Sequence, residues 1–279
     1  MAGLTGVVGV LLIPCFAGAA PDSAKVPEKI DLNDFPGEII SKVVVPIPAE
    51  VFAVLNKLDE PDWNKAIALP EETSMGRERA VLALTFGSLV GEGFIAVQAN
   101  NADKIQDIGR QVLTVSEALS LAGAVRPHSL SIIEAAEKRD WTRVRDELDR
   151  TQQTVRETME KLRDEELSNL VSLGGWLRGT HVVAEFISES YSEDKAEILN
   201  QPGLIAHFRS VLETIKAPTK TAPTIRVISS GLARLEAIIE EPGIPSEEAV
   251  IELRDISRSM LESFYFVTPT APTAEKPAN

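Results

Sequence analysis

Two apolar, glycine-bearing stretches 88 residues apart constrain this chain more than any other feature. Sliding the sequence by 88 aligns Glu78 with Glu166, Leu82 with Leu170, Gly87 with Gly175, Leu89 with Leu177, Gly91 with Gly179 and Ala96 with Ala184. Six identities in 19 aligned positions exceed the roughly one that chance supplies. Glycine inside a helix costs about 0.5–1 kcal/mol relative to alanine, so two pairs at matching places require a compensating contact. Close approach of two helix backbones is that contact. The spacing therefore predicts that helices over 75–99 and 164–191 cross at Gly87, Gly91, Gly175 and Gly179, around a pseudo-two-fold axis, with the remaining helices wrapped about them.

Helical periodicity runs through most of the chain. Segments at 75–99, 102–121, 127–139, 141–163, 164–191, 202–216, 224–241 and 246–264 are each bounded by Pro, Gly, Asp or Asn. Shorter helices are expected at 35–45 and after Pro48, a residue suited to a first helical turn. Strict alternation and hairpin dipeptides between β-branched runs are lacking, so no strand is expected. The fold class is all-α: a helical bundle over 37–266, read as tandem four-helix units at 74–163 and 164–264. On 141–163 the positions Val144, Leu148, Thr151, Val155, Thr158 and Leu162 make a heptad-like stripe. It reads as the inner face of a bundle helix, with a coiled-coil dimer as the alternative.

The ends differ from the middle. Gly6–Ala19 is apolar and closes on Ala17-Gly18-Ala19, a small-residue pattern suited to cleavage before Ala20. Residues 1–19 thus read as an export signal, although Met1–Thr5 carries no Lys or Arg, and the mature chain is expected to be periplasmic or secreted. Cleavage would remove Cys15, the single cysteine, and with it disulfide and thiolate chemistry. Residues 20–36 read as a linker and 267–279 as a disordered Pro/Thr/Ala tail. No membrane span is expected in the mature chain: Ala80–Ala99 is long enough, but it holds Glu92 and faces a partner segment bearing Arg178, His181 and Glu185.

The net charge, 28 − 42 = −14, and a pI near 4.8 oppose any broad attraction to nucleic acid or anionic lipid. A protein partner or a small ligand fits better. No phosphate loop after a strand, nucleophile elbow or His-Glu-x-x-His helix occurs, so hydrolase, kinase and dehydrogenase templates fail.

The charges on the two apolar stretches need explaining. Glu92, Arg178, His181 and Glu185 must be paired or hydrogen-bonded if buried. The 88-residue register sets Glu92 opposite Thr180 and Gly93 opposite His181, so acid and imidazole can meet across the axis. Two readings stay open: a satisfied polar plug with Arg178 at its centre, or a ligand set of His181, Glu185 and Glu92 for a divalent metal ion, with Arg178 orienting a carboxylate. His181 and Glu185, four apart, share a helical face. A third reading uses Glu92 and His181 as an acid/base pair.

Gly179-Thr180-His181-Val182-Val183-Ala184-Glu185 resembles the Gly-x-His-x-x-Glu signature of imelysin-type exported helical proteins. The resemblance covers seven residues and departs from the signature, because three residues rather than two separate His181 from Glu185. It implies a duplicated helical bundle that handles metal.

Elsewhere, His128 and His207 read as ordinary surface or core residues. Asp62-Trp63 and Asp140-Trp141 read as helix entries with an Asp cap and a Trp anchor, and Trp176 as core. The expectation for function is an exported, non-enzymatic, helical binding or scaffolding protein of the bacterial envelope. The metal- or small-ligand-binding protein is its alternative.

Overall fold

The computed structural model describes residues 38–40, 43–45, 58, 61–70, 78–162 and 164–266. The export signal, the linker, the Pro48 helix and the tail lie outside the described residues. What is described is overwhelmingly helical, so the all-α class holds. The short helix expected at 35–45 is corrected: Glu38–Ile40 (β1) and Val43–Val45 (β2) form a small antiparallel hairpin with Glu38 opposite Val45. Ile39, Ile40 and three consecutive valines are β-branched, which stiffens them against a helix and suits a pleated ribbon.

A short helix, Trp63–Ala66 (α1), sits within the extended segment 61–70. Four long helices follow: Arg79–Gln98 (α2), Ala102–Ala118 (α3), Ala122–Glu137 (α4) and Trp141–Lys161 (α5). Each packs against the next. Their three connections share one construction. In each, a residue with positive φ (Asn100, Ser120 or Arg139) ends a helix. The amide after it reaches back five residues: Asn101 to Ala96, Leu121 to Ser116 and Asp140 to Ala135. This is the Schellman closure, which usually places glycine at the left-handed position. A non-glycine residue there costs on the order of 1 kcal/mol, and the packing of the following helix holds it. Asn101 and Asp140 then cap α3 and α5 by accepting from Lys104 N and Arg143 N. Asp62, expected to do the same for α1, makes no cap bond.

The long helix Glu165–Glu189 (α6) starts the second half, capped by Asp164. Glu193–Ala196 (α7), Pro202–Thr214 (α8), Ala217–Lys220 (α9), Pro223–Ile239 (α10) and Glu247–Glu262 (α11) complete it. Here α8 packs on α10, α10 on α11, and α11 returns along α6. One apolar cluster fills both halves. The helix expected from Pro127 begins earlier, at Ala122, and carries Pro127 inside it.

The α2–α6 pair is the most extensive helix contact. Its polar links, Ser88 Oγ to the Gly174 carbonyl and Arg178 to Glu92, both join residues 86 apart, so the two helices run in the same direction. A Cβ placed on Gly87 would lie 1.9 Å from the Val171 carbonyl oxygen, and one on Gly175 would lie 3.2 Å from that of Gly87. Gly91 would meet Gly175 O at 3.3 Å. The expected close approach is present at these three glycines. Gly179 is a correction: nothing lies within 4 Å of the site of its Cβ. Gly174 takes its place, with the Leu84 carbonyl oxygen 2.1 Å from where its Cβ would be. Alignment by identity favours Gly179, whereas the crossing turns the Gly174 side of α6 toward α2.

α2 is long and apolar enough to cross a membrane, but most of it is buried by other helices of this chain. On α5 the stripe buries Val144, Leu148, Thr151 and Val155, then passes to Met159, leaving Leu162 54% exposed.

Candidate functional site

Just beyond the glycine contacts, α2 contributes Glu92 and α6 contributes Arg178, both with essentially no exposed side-chain surface. The close backbone approach brings these long side chains side by side. Arg178 Nε donates to Glu92 Oε2 at 2.6 Å and Nη2 to Oε1 at 3.2 Å, a two-point pairing. Nη2 also donates to the Ala66 carbonyl, and Nη1 donates to His181 Nδ1 at 3.3 Å. Glu92 Oε1 accepts the Ala68 amide at 2.6 Å, while Oε2 accepts a longer bond, 3.4 Å, from the Tyr265 hydroxyl. Phe266 lies with its ring centroid 5.5 Å from the guanidinium carbon and 6.0 Å from the His181 ring. Four separate stretches of chain therefore meet on one ion pair: the 61–70 segment, α2, α6 and the turn after α11.

His181 is 6% exposed. Its pKa is pushed down to about 3, first by burial and then by the Arg178, Arg258 and Arg254 charges, with Asp255 opposing. The imidazole is neutral at pH 7. Because Nδ1 accepts from Arg178, its hydrogen sits on Nε2, which is buried without a hydrogen-bond partner among the described residues. The Tyr265 hydroxyl is held protonated by burial and by the neighbouring Glu92 charge.

Of the sequence candidates, Glu92, Arg178 and His181 are brought together and Glu185 is not. Glu185 lies one turn further along α6, half-buried, with no side-chain hydrogen bond to the described residues. Glu92 and His181 meet through Arg178, so a guanidinium occupies the position between acid and imidazole. Among the described residues no group of three or more His, Cys, Asp or Glu is arranged to hold a metal ion. Sequence reasoning missed Ala66, Ala68, Tyr265 and Phe266. The Phe264-Tyr265-Phe266 run, in a chain with 5% aromatics, was an available signal for the last two. Main-chain groups such as Ala66 O and Ala68 N carry no sequence signal.

A second polar cluster joins α4 to α5. His128 Nδ1 lies 2.9 Å from Glu147 Oε2, and its Nε2 lies 3.0 Å from Thr154 Oγ1. Glu147 also accepts from Arg150 at 2.8 Å. The order hydroxyl, imidazole, carboxylate is that of a nucleophile relay. Thr154 stands inside a helix, where backbone amides are already bonded, so no amides are offered to a developing oxyanion. The cluster works as a bond between helices. His207 sits beside Phe208, and burial lowers its pKa. Trp63 meets Phe186 edge-on at 4.9 Å, the anchoring expected of it. Trp176 is half-buried, donating to Gln201 Oε1 and packing near Phe208.

No protein-family model matches the chain, and neither a curated protein nor a solved structure matches it. The imelysin-type resemblance thus stays confined to residues 179–185.

Proposed function

We propose that this is an exported, non-enzymatic binding or scaffolding protein of the bacterial envelope. Its two tandem four-helix units, 74–163 and 164–264, are joined through the α2–α6 contact, and the Glu92–Arg178–His181 cluster is a polar plug that fixes the register of those two helices. The observation that carries the plug reading is the bonding of Arg178: its guanidinium is shared among Glu92, His181 and the Ala66 carbonyl. Such a cluster gains specificity of packing more than net stability. Duplication is supported by Gly87 lying against Gly175, its own counterpart in the 88-residue register. The connections of the two halves differ, in keeping with sequence identity that fades outside 78–96. Fractionation of a C-terminally tagged chain tests export: cleaved protein in the periplasm or medium is expected, and an uncleaved cytoplasmic chain overturns it.

The alternative is a divalent-metal or small-ligand site at His181, Glu185 and Glu92. One observation favours it, the unpartnered His181 Nε2. Against it, the ring's lone pair already faces Arg178, so metal at Nε2 requires a change of tautomer. Metal analysis of the purified chain and of His181→Ala separates the readings, since metal that is lost with His181 would replace the plug by a site.

A further inference from the structure

A threonine hydroxyl inside a helix has a usual partner, the carbonyl one turn back. Thr85, Thr114, Thr151 and Thr158 each donate there, to Val81, Arg110, Glu147 and Thr154, at 2.6–3.0 Å. Thr154 departs from the pattern: its Oγ lies 3.0 Å from His128 Nε2 on α4. The groups beyond the ring fix the direction of that bond. Burial opposes ionisation of Glu147, but the hydrogen bond from His128 and the Arg150 charge outweigh it and hold the carboxyl below its ordinary value. An ionised carboxylate only accepts, so the imidazole hydrogen lies on Nδ1, 2.9 Å from Glu147 Oε2. In the neutral ring Nε2 then carries a lone pair and accepts the Thr154 hydrogen. A carbonyl cannot take a hydroxyl's proton away, whereas an imidazole can.

Sequence spacing builds this relay. Glu147 and Thr154 are seven apart, so both stand on the side of α5 that faces α4, two turns from one another, and His128 bridges them. The relay also reaches solvent: the His128 side chain is 20% exposed and Thr154 is half-buried. With the neighbouring helix amides engaged, an oxyanion formed at Thr154 has water as its donor. Ordinary esters and amides are therefore out of reach, and the relay suits a donor whose leaving group departs readily.

We propose that Thr154 is a modification site: its hydroxyl, relayed through His128 to Glu147, takes up one acyl group from an activated acyl donor, a thioester or an acyl phosphate. Thr154 Oγ attacks the acyl carbon while its proton passes to His128 Nε2. The bond from that carbon to sulfur or phosphate oxygen breaks, and His128 returns the proton to the departing group. Thr154 is left as an ester and nothing is oxidised or reduced. The same donor poverty that excludes ordinary esters slows attack by water on the new ester, so the acyl group stays on the chain and the event is stoichiometric. It goes beyond the binding or scaffolding reading and depends on no part of it.

The test treats the full chain with p-nitrophenyl acetate and maps acetylated peptides by mass spectrometry before and after neutral hydroxylamine, which removes esters and spares acetylated lysines. Thr158, one turn along the same helix and donating to a carbonyl, is the internal comparison. A hydroxylamine-sensitive acetyl group is expected on Thr154, formed about a hundredfold faster than on Thr158. In a folded His128→Gln chain, where the side chain still forms hydrogen bonds but takes no proton, the rate at Thr154 is expected to fall to that at Thr158. Thr154→Ser, which keeps the hydroxyl, is expected to keep the ester. No ester at Thr154, equal rates at Thr154 and Thr158, or an unchanged rate in folded His128→Gln overturns the proposal. Should His128→Gln not fold, the contrast between Thr154 and Thr158 in the unaltered chain decides by itself.

Discussion

Replacing one glycine of α6 at a time separates close helix approach from mere tolerance of glycine. In Gly174→Ala the new methyl falls 2.1 Å from the Leu84 carbonyl oxygen and 3.0 Å from Leu84 Cα, atoms of a rigid backbone that cannot rotate away. Restoring ordinary contact moves α6 from α2 by roughly 1 Å, and a gap of that size forfeits a quarter to a half of each dispersion contact along the seam. The Ser88 bond to the Gly174 carbonyl, 2.9 Å, stretches toward 4 Å and is lost. Overpacking costs about 1–3 kcal/mol and the hydrogen bond about 1, against a helix-propensity gain of about 0.5–1, for a net loss of about 1–3.5 kcal/mol. Gly179→Ala meets nothing within 4 Å and keeps only the propensity gain. Thermal unfolding followed by circular dichroism should therefore place Gly174→Ala about 2–14 °C below the unaltered chain and Gly179→Ala slightly above it. Equal shifts for the two variants, or a more stable Gly174→Ala, would refute the close-approach argument.

Arg178→Met leaves Glu92 buried without its cation and should cost about 3–5 kcal/mol in urea unfolding; adding Glu92→Leu should recover most of that loss, and no recovery would sink the plug reading. The His181 pKa of about 3 lies below its unfolded value of 6.5, so the unfolded chain binds a proton that the folded chain does not between those limits. Its stabilising contribution is complete above pH 6.5 and falls by on the order of 2–3 kcal/mol by pH 4.5, and His181→Gln should flatten the stability-against-pH slope by about one proton. Identical slopes for both chains would contradict the buried neutral imidazole. On α5, Met159→Ala should cost about 2–5 kcal/mol and Leu162→Ala no more than about 0.5, reversing the order that a strict heptad assigns.

Helix positions were legible in the sequence because amphipathic periodicity and capping residues are local. The predicted 102–121, 141–163 and 202–216 lie within a few residues of the observed Ala102–Ala118, Trp141–Lys161 and Pro202–Thr214. The α2–α6 approach was legible too, since glycine within an apolar helix announces a close neighbour. Which glycines face that neighbour was not, because Gly174 and Gly179 differ only in the direction in which the crossing turns them. Equally hidden was the use of Asn100, Ser120 and Arg139 at left-handed turns, where packing of the next helix outweighs a local preference for glycine.

Composition, periodicity and the paired glycines determined an acidic helical bundle with a few charges on its two most apolar helices. Tertiary structure alone decided that the Arg178 guanidinium stands between Glu92 and His181, that Glu185 stays outside the cluster, and that the backbone of residues 61–70 closes it. A buried charge requires partners, but main-chain carbonyls and amides satisfy it as well as side chains do, and they leave no trace in the order of residues.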